Sequence, residues 1–460
     1  MKYSEVIQYL NSLERFGIQL GLERITGLLG LLGNPHKDLK CIHVAGTNGK
    51  GSTTTFIGAI LKEARLVNAG FKVGVYTSPH FISFTERITI NGIPIPETQV
   101  AGIISEKILP AIKILTTYTS SSSDRLEAYP TTHHLTHPTY FEIATAVAFL
   151  YFAQEKVDFA VLEVGLGGRL DATNVITPLV SVITSIGLEH QDVLGETIEE
   201  IACEKAGIIK QGVPVVTSAC QPEVLKVIKK VAKLHDAKLY QVGKDIKFVI
   251  EQFPADANSN YQFSVNGILK EYRKLQTSLL GYHQIINATA AISAIEVLQK
   301  YHGVKITTQH IKKGLLQARI RGRLELIKKS PFVLLDGAHN PASAIVLRKA
   351  LKDYFSTQRL ILIIGILQDK DVAEIVKELL YENKNILLVI IAQPKINRAS
   401  DTKRIHDEIT KYTDKIHILP TVAEGIKYAE AIASLGDLIC ITGSLYTVAE
   451  AIESKEKRGR

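Results

Sequence analysis

The stretch Cys41-Ile42-His43-Val44-Ala45-Gly46-Thr47-Asn48-Gly49-Lys50-Gly51-Ser52 reads in three parts. Cys41 to Ala45 is a short apolar run of strand type. Gly46 to Gly51 turns the chain, with no room for large side chains at its glycines, and from Ser52 onward the sequence is able to start a helix. Strand, glycine loop and helix in that order aim backbone N–H groups and a helix N-terminus at a phosphate, with Lys50 reaching the terminal phosphates. The general G-x-x-x-x-G-K-[ST] pattern is not met strictly, because Val44 stands at its first glycine and Gly51 separates Lys50 from Ser52. A bare glycine turn is the competing reading.

Around this loop, apolar runs short enough for buried strands alternate with segments of helical period, the pattern of a mainly parallel sheet covered on both faces. Strands are expected at Cys41 to Ala45, Lys72 to Thr77, Phe159 to Val164, Val180 to Ile186 and Val213 to Thr217. A second series, Phe332 to Asp336, Leu360 to Ile366, Ile386 to Ala392, Ile416 to Leu419 and Leu438 to Thr442, makes a compact α/β domain by itself. The expected division is 1–319 and 320–460, near Arg319. Two segments break the order. Thr116 to Pro138, with four consecutive serines and His133, His134 and His137, has no apolar period and reads as a surface insertion rather than a metal site. Glu251 to Arg273 reads as a short antiparallel excursion with turns at Pro254 and Asn266-Gly267.

A phosphate loop that transfers phosphoryl groups needs Mg²⁺, which takes hard oxygen ligands. Phe159 to Glu163 is a buried strand ending in a carboxylate beside Gly165, Gly167 and Gly168, which suits the second half of a nucleotide site, or a glutamate in solvent. His190 follows another apolar strand and either ligates a metal or caps the strand end. Lys205, taken alone, is a surface helix lysine.

Bulk properties bound these readings. At 460 residues the chain exceeds one ordinary core, since single cores stop growing near roughly 250 to 300 residues. The formal net charge is +8, but Lys and Arg are spread along the chain, so a cleft for anionic small molecules accounts for it and no nucleic-acid partner is expected. Cys41, Cys203, Cys220 and Cys440 have no paired spacing and read as buried thiols of a reducing compartment. No apolar signal core and no run of about 18 apolar residues is present, so the expectation is a cytoplasmic protein without a membrane partner. Lys455 to Arg460 reads as a solvated tail.

Taken together, the residues resemble the folylpolyglutamate synthase and dihydrofolate synthase family, a branch of the Mur ligases, over nearly the whole chain. The resemblance is carried by Leu20 to Ile25, Gly33-Asn34-Pro35-His36, the loop His43 to Ser52, Tyr76 to His80 and Thr139-Tyr140-Phe141-Glu142. It continues in Glu163 to Asn174, Glu204-Lys205-Ala206-Gly207, Asp336 to Pro341 and Thr442-Gly443-Ser444. The family's loop carries the same extra glycine between lysine and serine. The resemblance implies a P-loop ATPase domain of Mur-ligase type with a mainly parallel sheet, followed by a smaller Rossmann-like domain.

It also implies an activity and a site. ATP is the co-substrate, held by Gly46, Thr47, Asn48, Gly49, Lys50, Gly51 and Ser52, with Asn287, Arg323 and Asp336 as further ligands. Ser78, Glu163 and His190 match the family's Mg²⁺ ligands, and Lys205 matches a lysine that is carbamylated there and helps bind a second metal. Thr139, Phe141 and Asp171 match pterin-side positions, and His339 and Ser444 match residues near the incoming glutamate. Lys50, Lys205, His190 and His339 are the expected catalytic groups. Arg323 matches an arginine that reaches the ATP phosphates; Arg319 and Arg321 read as solvent charges. Asn287 is either a base contact or an N-cap of the alanine-rich helix after it.

In that family a substrate carboxylate attacks the γ-phosphate of ATP, giving an acyl phosphate and ADP, and the amine of L-glutamate then displaces phosphate. The Gly168 to Asn174 string resembles the bifunctional bacterial enzymes, so both tetrahydrofolate, or its polyglutamates, and dihydropteroate are expected substrates of a monomeric enzyme. Two rivals remain: a Mur ligase adding an amino acid to a UDP-muramoyl peptide, and a regulatory P-loop ATPase without ligase activity. The first would be expected to lack Gly51 and the Thr139 to Glu142 segment. The second would leave Lys205, His339 and Ser444 without a task.

Overall fold

A computed structural model describes residues 1–13, 17–66, 69–121 and 137–458. The chain packs as two compact units. One comprises residues 1–248, 265–273 and 286–315, the other residues 249–264, 274–285 and 316–460.

Among the described residues, the first unit is built on an eight-stranded sheet. Its order is Leu239–Gln241, Val215–Thr217, Val180–Ile183, Cys41–Ala45, Phe159–Glu163, Val73–Tyr76, Ile88–Ile90 and Ile93–Pro94. The first six strands run parallel and the last two are added antiparallel. Cys41–Ala45 and Phe159–Glu163 are buried at every residue, which is why they read as continuous apolar runs rather than alternating ones. One face of the sheet is covered by a cluster that includes Tyr76, Phe149, Phe152 and Leu162, the two phenylalanines coming from the helix Tyr140–Gln154. Another cluster gathers Ile183, Val215 and Ile201 with the helices Ile198–Ala206 and Pro222–Leu234. Each fully buried Phe, Leu or Ile contributes on the order of 1.5–3 kcal/mol, so these layers fix the strand ends from which the loops project.

The second unit carries a six-stranded sheet in the order Glu325–Lys329, Phe332–Leu335, Leu438–Thr442, Leu360–Ile364, Ile386–Ala392 and Ile416–Leu419, again among the described residues. All neighbours are parallel except the first pair. Helices connect the parallel strands, as right-handed crossovers require. The α/β class and the mainly parallel sheets agree with the sequence reading.

Several local expectations are corrected. Helix Leu109–Ser121 continues five residues beyond Thr116, into the segment read as irregular. His133 and His134 lie outside the described residues; His137 is described and its Nε2 is 3.1 Å from the Tyr9 hydroxyl. The C-terminal segment read as a tail is helical through Arg458, as part of Leu445–Arg458. Of the four cysteines, Cys41 and Cys440 are buried, whereas Cys203 and Cys220 are exposed. The excursion forms a three-stranded sheet, Lys247–Gln252, Gln262–Asn266 and Glu271–Leu275. Its turn at Gly267 is closed by an N–H to the Lys270 carbonyl, and the buried carboxylate of Glu296 accepts from Leu269, Lys270 and the Tyr272 hydroxyl.

Candidate active site

The loop after Cys41–Ala45 is shaped by its backbone. Gly46 and Gly49 have φ of 147° and 90°, and Gly49 is the N-cap of the helix Lys50–Glu63. Neither position accepts a side chain: a Cβ at Gly46 would collide with the Thr184 hydroxyl, and one at Gly49 with the Asn287 amide. The left-handed conformation adds its own penalty for any other residue at Gly49. Residues after Val180–Ile183, the neighbouring strand in the sheet, brace the loop. Thr47 N–H donates to the Ser185 carbonyl at 2.8 Å, Thr47 Oγ1 to the Gly187 carbonyl at 3.1 Å, and Ser185 Oγ to the Asn48 carbonyl at 2.9 Å. Thr184, Ser185 and Gly187 carried no motif; their signal was position, at the end of a strand paired with Cys41–Ala45.

Two lysines converge on the loop. Lys50 Nζ donates to the carbonyls of Gly46 at 2.9 Å and Thr47 at 3.1 Å. Lys205, in the last turn of Ile198–Ala206, is 3% exposed and donates to the same Gly46 carbonyl at 2.9 Å. Burial, and then the neighbouring Lys50 charge, lower its pKa to about 7, against the opposing pull of Glu189 and Asp171. The sequence reading of Lys205 as a surface lysine does not survive its burial. Glu189 was not singled out; it acts on Lys205 and lies 3.6 Å from His190 Nε2. His190 itself has a positive φ of 51°, precedes the short helix Gln191–Leu194 and is half-exposed.

Glu163 ends its strand 5% exposed, and one carboxylate oxygen accepts the Ser78 N–H at 3.1 Å, so two of the expected metal ligands meet. The buried Glu163 carboxylate and the neighbouring serine are hard oxygen donors of the type Mg²⁺ takes. Among the described residues, no three His, Cys, Asp or Glu side chains converge as a metal-binding group.

The expected pterin-side residues lie on adjoining elements with tasks of their own. Thr139 is the N-cap of Tyr140–Gln154; its hydroxyl accepts the Glu142 N–H, and Glu142 returns a carboxylate oxygen to the Thr139 N–H at 2.7 Å. Glu142 is held by Arg24, whose Nε is 3.1 Å from both oxygens. The Phe141 ring sits against Gly165, where any Cβ would collide with it, and its centroid is 6.0 Å from that of Tyr76.

Asp171 is 4% exposed and accepts from Leu166 N–H at 2.9 Å and from Thr173 N–H at 3.0 Å. Burial raises its pKa, against these hydrogen bonds. The Thr173 hydroxyl also donates to Asp171, so it must accept from His43, whose Nε2 is 2.8 Å away. His43 is therefore the Nε2–H tautomer. Its Nδ1 is buried with no partner among the described residues, and burial lowers its pKa to about 3.

In the second unit, Asp336 follows the strand Phe332–Leu335 and accepts from Leu324 N–H at 2.8 Å and Ala338 N–H at 2.9 Å. Burial raises its pKa to about 6, while nearby Arg323 opposes the shift. His339 Nδ1 lies 2.8 Å from the Gly337 carbonyl. A carbonyl only accepts, so Nδ1 carries the proton and Nε2 the lone pair in the neutral ring. Ser444 is 1% exposed and its Oγ accepts the Thr447 N–H at 3.0 Å, capping the last helix.

Asn287 belongs to the first unit and is the sixth residue of the helix Tyr282–His302. The N-cap alternative is excluded by that position. Its side chain is packed against Gly49 instead.

Comparison with known proteins supplies the context. Residues 100–295 match the Mur ligase middle domain, and residues 322–445 match the Mur ligase glutamate ligase domain. The chain is 38% identical over 450 residues to the dihydrofolate synthase/folylpolyglutamate synthase of Bacillus subtilis, covering 97% of this chain and 98% of that protein. Mycobacterium tuberculosis folylpolyglutamate synthase complexed with ADP has a TM-score of 0.85 at 30% identity, covering 100% of this chain and 98% of the other. E. coli FolC in complex with DHPP and ADP has a TM-score of 0.84 at 30% identity, with coverage of 100% and 99%.

Proposed function

This chain belongs to the dihydrofolate synthase/folylpolyglutamate synthase family of Mur ligases, and we propose that it uses ATP to add L-glutamate both to tetrahydrofolate and to 7,8-dihydropteroate. It is a ligase that forms carbon–nitrogen bonds. The observation that carries the reading is the convergence of Lys50 and buried Lys205 on the Gly46 carbonyl. A regulatory ATPase has no use for a buried second lysine, and the full-length likeness to folate synthases leaves a UDP-muramoyl peptide ligase as the weaker alternative.

Gly46 to Ser52 hold the phosphates, joined by Asn287, Arg323 and Asp336 as ATP ligands. Loop N–H groups and Lys50 offset charge as it moves from the γ-phosphate to ADP. Ser78, Glu163 and His190 would hold one Mg²⁺, and Lys205, as a carbamate, would share a second. Bound there, Mg²⁺ supplies Lewis-acid neutralisation of phosphate oxygens. The lowered pKa of Lys205 supports the carbamate, because the amine that adds CO₂ must be unprotonated.

In the first step an oxygen of the substrate carboxylate forms a bond to the γ-phosphorus and the bond to the ADP oxygen breaks. In the second, the glutamate nitrogen bonds to the acyl carbon, phosphate leaves, and the ammonium proton goes to His339 Nε2. Ser444 lies with His339 on the glutamate side. Phe141 stacks on the pterin, flanked by Thr139 and Asp171. The enzyme acts as a cytoplasmic monomer on small molecules, without nucleic-acid or membrane partners; no helix among the described residues is long and apolar enough to cross a membrane.

The test is phosphate release from ATP and glutamate by purified protein offered dihydropteroate, tetrahydrofolate or a UDP-muramoyl peptide. Turnover of both pteridines is expected. Turnover of tetrahydrofolate alone would remove the second activity, and turnover of neither by folded protein would remove the whole reading. A bicarbonate supplement should raise the activity of protein prepared in CO₂-depleted buffer; no response would sink the carbamate.

A further inference from the structure

Arg87 is a buried guanidinium that the site described so far does not use. It is 9% exposed, and a guanidinium stays charged at any physiological pH. Its Nε donates to His80 Nδ1 at 2.7 Å, and its central carbon lies 5.3 Å from the centroid of the Tyr140 ring. Both neighbours are uncharged, because a His80 nitrogen that accepts carries no proton. The adjacent carboxylate, Glu86, is occupied by the N–H groups of Phe81, Ile82 and Ser83 at 2.9 to 3.1 Å. Among the described residues Arg87 forms no ion pair, and its terminal nitrogens have no acceptor yet are not sealed from solvent.

A charge buried to this degree calls for an anion. Its place identifies which one. The Thr77 N–H donates to the Arg87 carbonyl at 2.9 Å, setting Arg87 opposite the residue before Ser78, while its guanidinium covers Tyr140, between Thr139 and Phe141. The anion therefore sits between the reacting end and the pterin end of the folate side of the site. His80, with Nδ1 accepting, presents an Nε2–H as a further donor.

We propose that Arg87, assisted by His80, binds the carboxylate of the folate glutamate that is not being activated, and so sets the preference for tetrahydrofolate over dihydropteroate. This rests on the reading that both pteridines are substrates. Dihydropteroate has a single carboxylate, which must stay electron-rich to attack phosphorus, whereas a folate glutamate has a second one to anchor. A guanidinium with paired N–H donors is the group that matches a carboxylate edge.

The experiment compares wild type with R87Q and R87K on tetrahydrofolate, dihydropteroate and a tetrahydrofolate whose non-reacting carboxylate is a carboxamide. Expected is a fall of about 10- to 100-fold in the ratio of kcat/KM for tetrahydrofolate to kcat/KM for dihydropteroate in R87Q, the size of a lost hydrogen bond to a charged group. R87K should restore part of it. Wild type should lose a similar factor on the carboxamide, and R87Q should not distinguish carboxamide from carboxylate. An unchanged ratio in R87Q, or a wild type indifferent to the carboxamide, overturns the proposal. If R87Q does not fold, the carboxamide comparison on wild type decides by itself. A wild type inactive on both pteridines would instead overturn the parent reading.

Discussion

Lys205 Nζ and the Gly46 carbonyl oxygen are 2.9 Å apart although 159 residues separate them in the chain, and Lys50 Nζ reaches the same oxygen at the same distance. One carbonyl thus gathers two lysine side chains at the first glycine of the loop. The low pKa of Lys205 follows from burial first and then from that crowding.

Lys205 gives a pH signature. Its folded pKa of about 7 lies below the 10.5 of an exposed lysine, so between those values the unfolded chain binds a proton that the folded chain has released. Stability therefore rises with pH across that window, and below about 7 the whole cost of burying the ammonium is present. In protein prepared free of CO₂, so that the amine is unmodified, Lys205→Met should gain most over wild type below pH 7, with the gain shrinking towards pH 10, as read from urea midpoints. The same variant should lose roughly 100-fold or more in kcat, the scale of one preorganised electrostatic group.

Gly49 and Asn287 form a steric pair. Gly49→Ala adds a Cβ at φ 90° that collides with the Asn287 amide, so the KM for ATP should rise by roughly tenfold or more, with about 1 kcal/mol lost in stability. Removing the amide in Gly49→Ala/Asn287→Ala should relieve the collision but not the backbone strain. A double-mutant cycle on stability should show coupling of about 0.5 kcal/mol or more; strict additivity would mean the two side chains do not share that space.

The chain from His43 through Thr173 to Asp171 predicts a graded series. Thr173→Val and His43→Ala each remove about 1 kcal/mol of hydrogen bonding that orients the Asp171 carboxylate. The KM for either pteridine should rise about threefold to tenfold, with the KM for ATP unmoved. His43→Gln, which keeps an N–H donor, should recover part of the effect. An equal change in both constants would mean the chain supports the phosphate loop rather than Asp171.

Arg24 and Glu142 are a part-buried ion pair, with side chains 12% and 4% exposed. Arg24→Met leaves the Glu142 carboxylate buried with only the Thr139 N–H, at a cost of about 3–5 kcal/mol. Arg24→Met/Glu142→Leu should recover part of that, since the stranded charge goes with the second change. Chemical denaturation of the three variants checks the order.

The loop and its neighbours show how far a sequence reading reaches. Strand, glycine turn and helix were legible because each is local: apolar runs, residues that tolerate positive φ and helix-starting residues act within a few positions. The parallel strands followed for the same reason, and their ends fell within a few residues of the expected places. Glu163 was readable because a carboxylate closing a fully buried strand breaks the pattern around it.

What the sequence left open was every question of burial and partnership. Asn287 as cap or contact turned on where its helix begins, and that start at Tyr282 lies earlier in the chain than a cap at Asn287 requires. The Lys455 to Arg458 segment is helical because it continues a helix already docked, which no local propensity announces. Cys203 and Cys220 are exposed although cysteine usage favoured the interior. The same holds for Lys205, His43 and Arg87, whose charge, tautomer or unmet charge depend on atoms far away in the chain.

The sequence by itself determined the α/β architecture, the strand, glycine turn and helix around the inserted Gly51, and the family, because backbone preference and hydrophobic period are local properties repeated along the chain. Only the tertiary structure decided that Lys205 is buried against Gly46, that His43 holds Asp171 through Thr173, and that the Arg87 guanidinium is buried with no ion pair among the described residues. Desolvation and Coulomb interactions act through space, so the ionisation and task of each group were set by which remote segments the fold brought beside it.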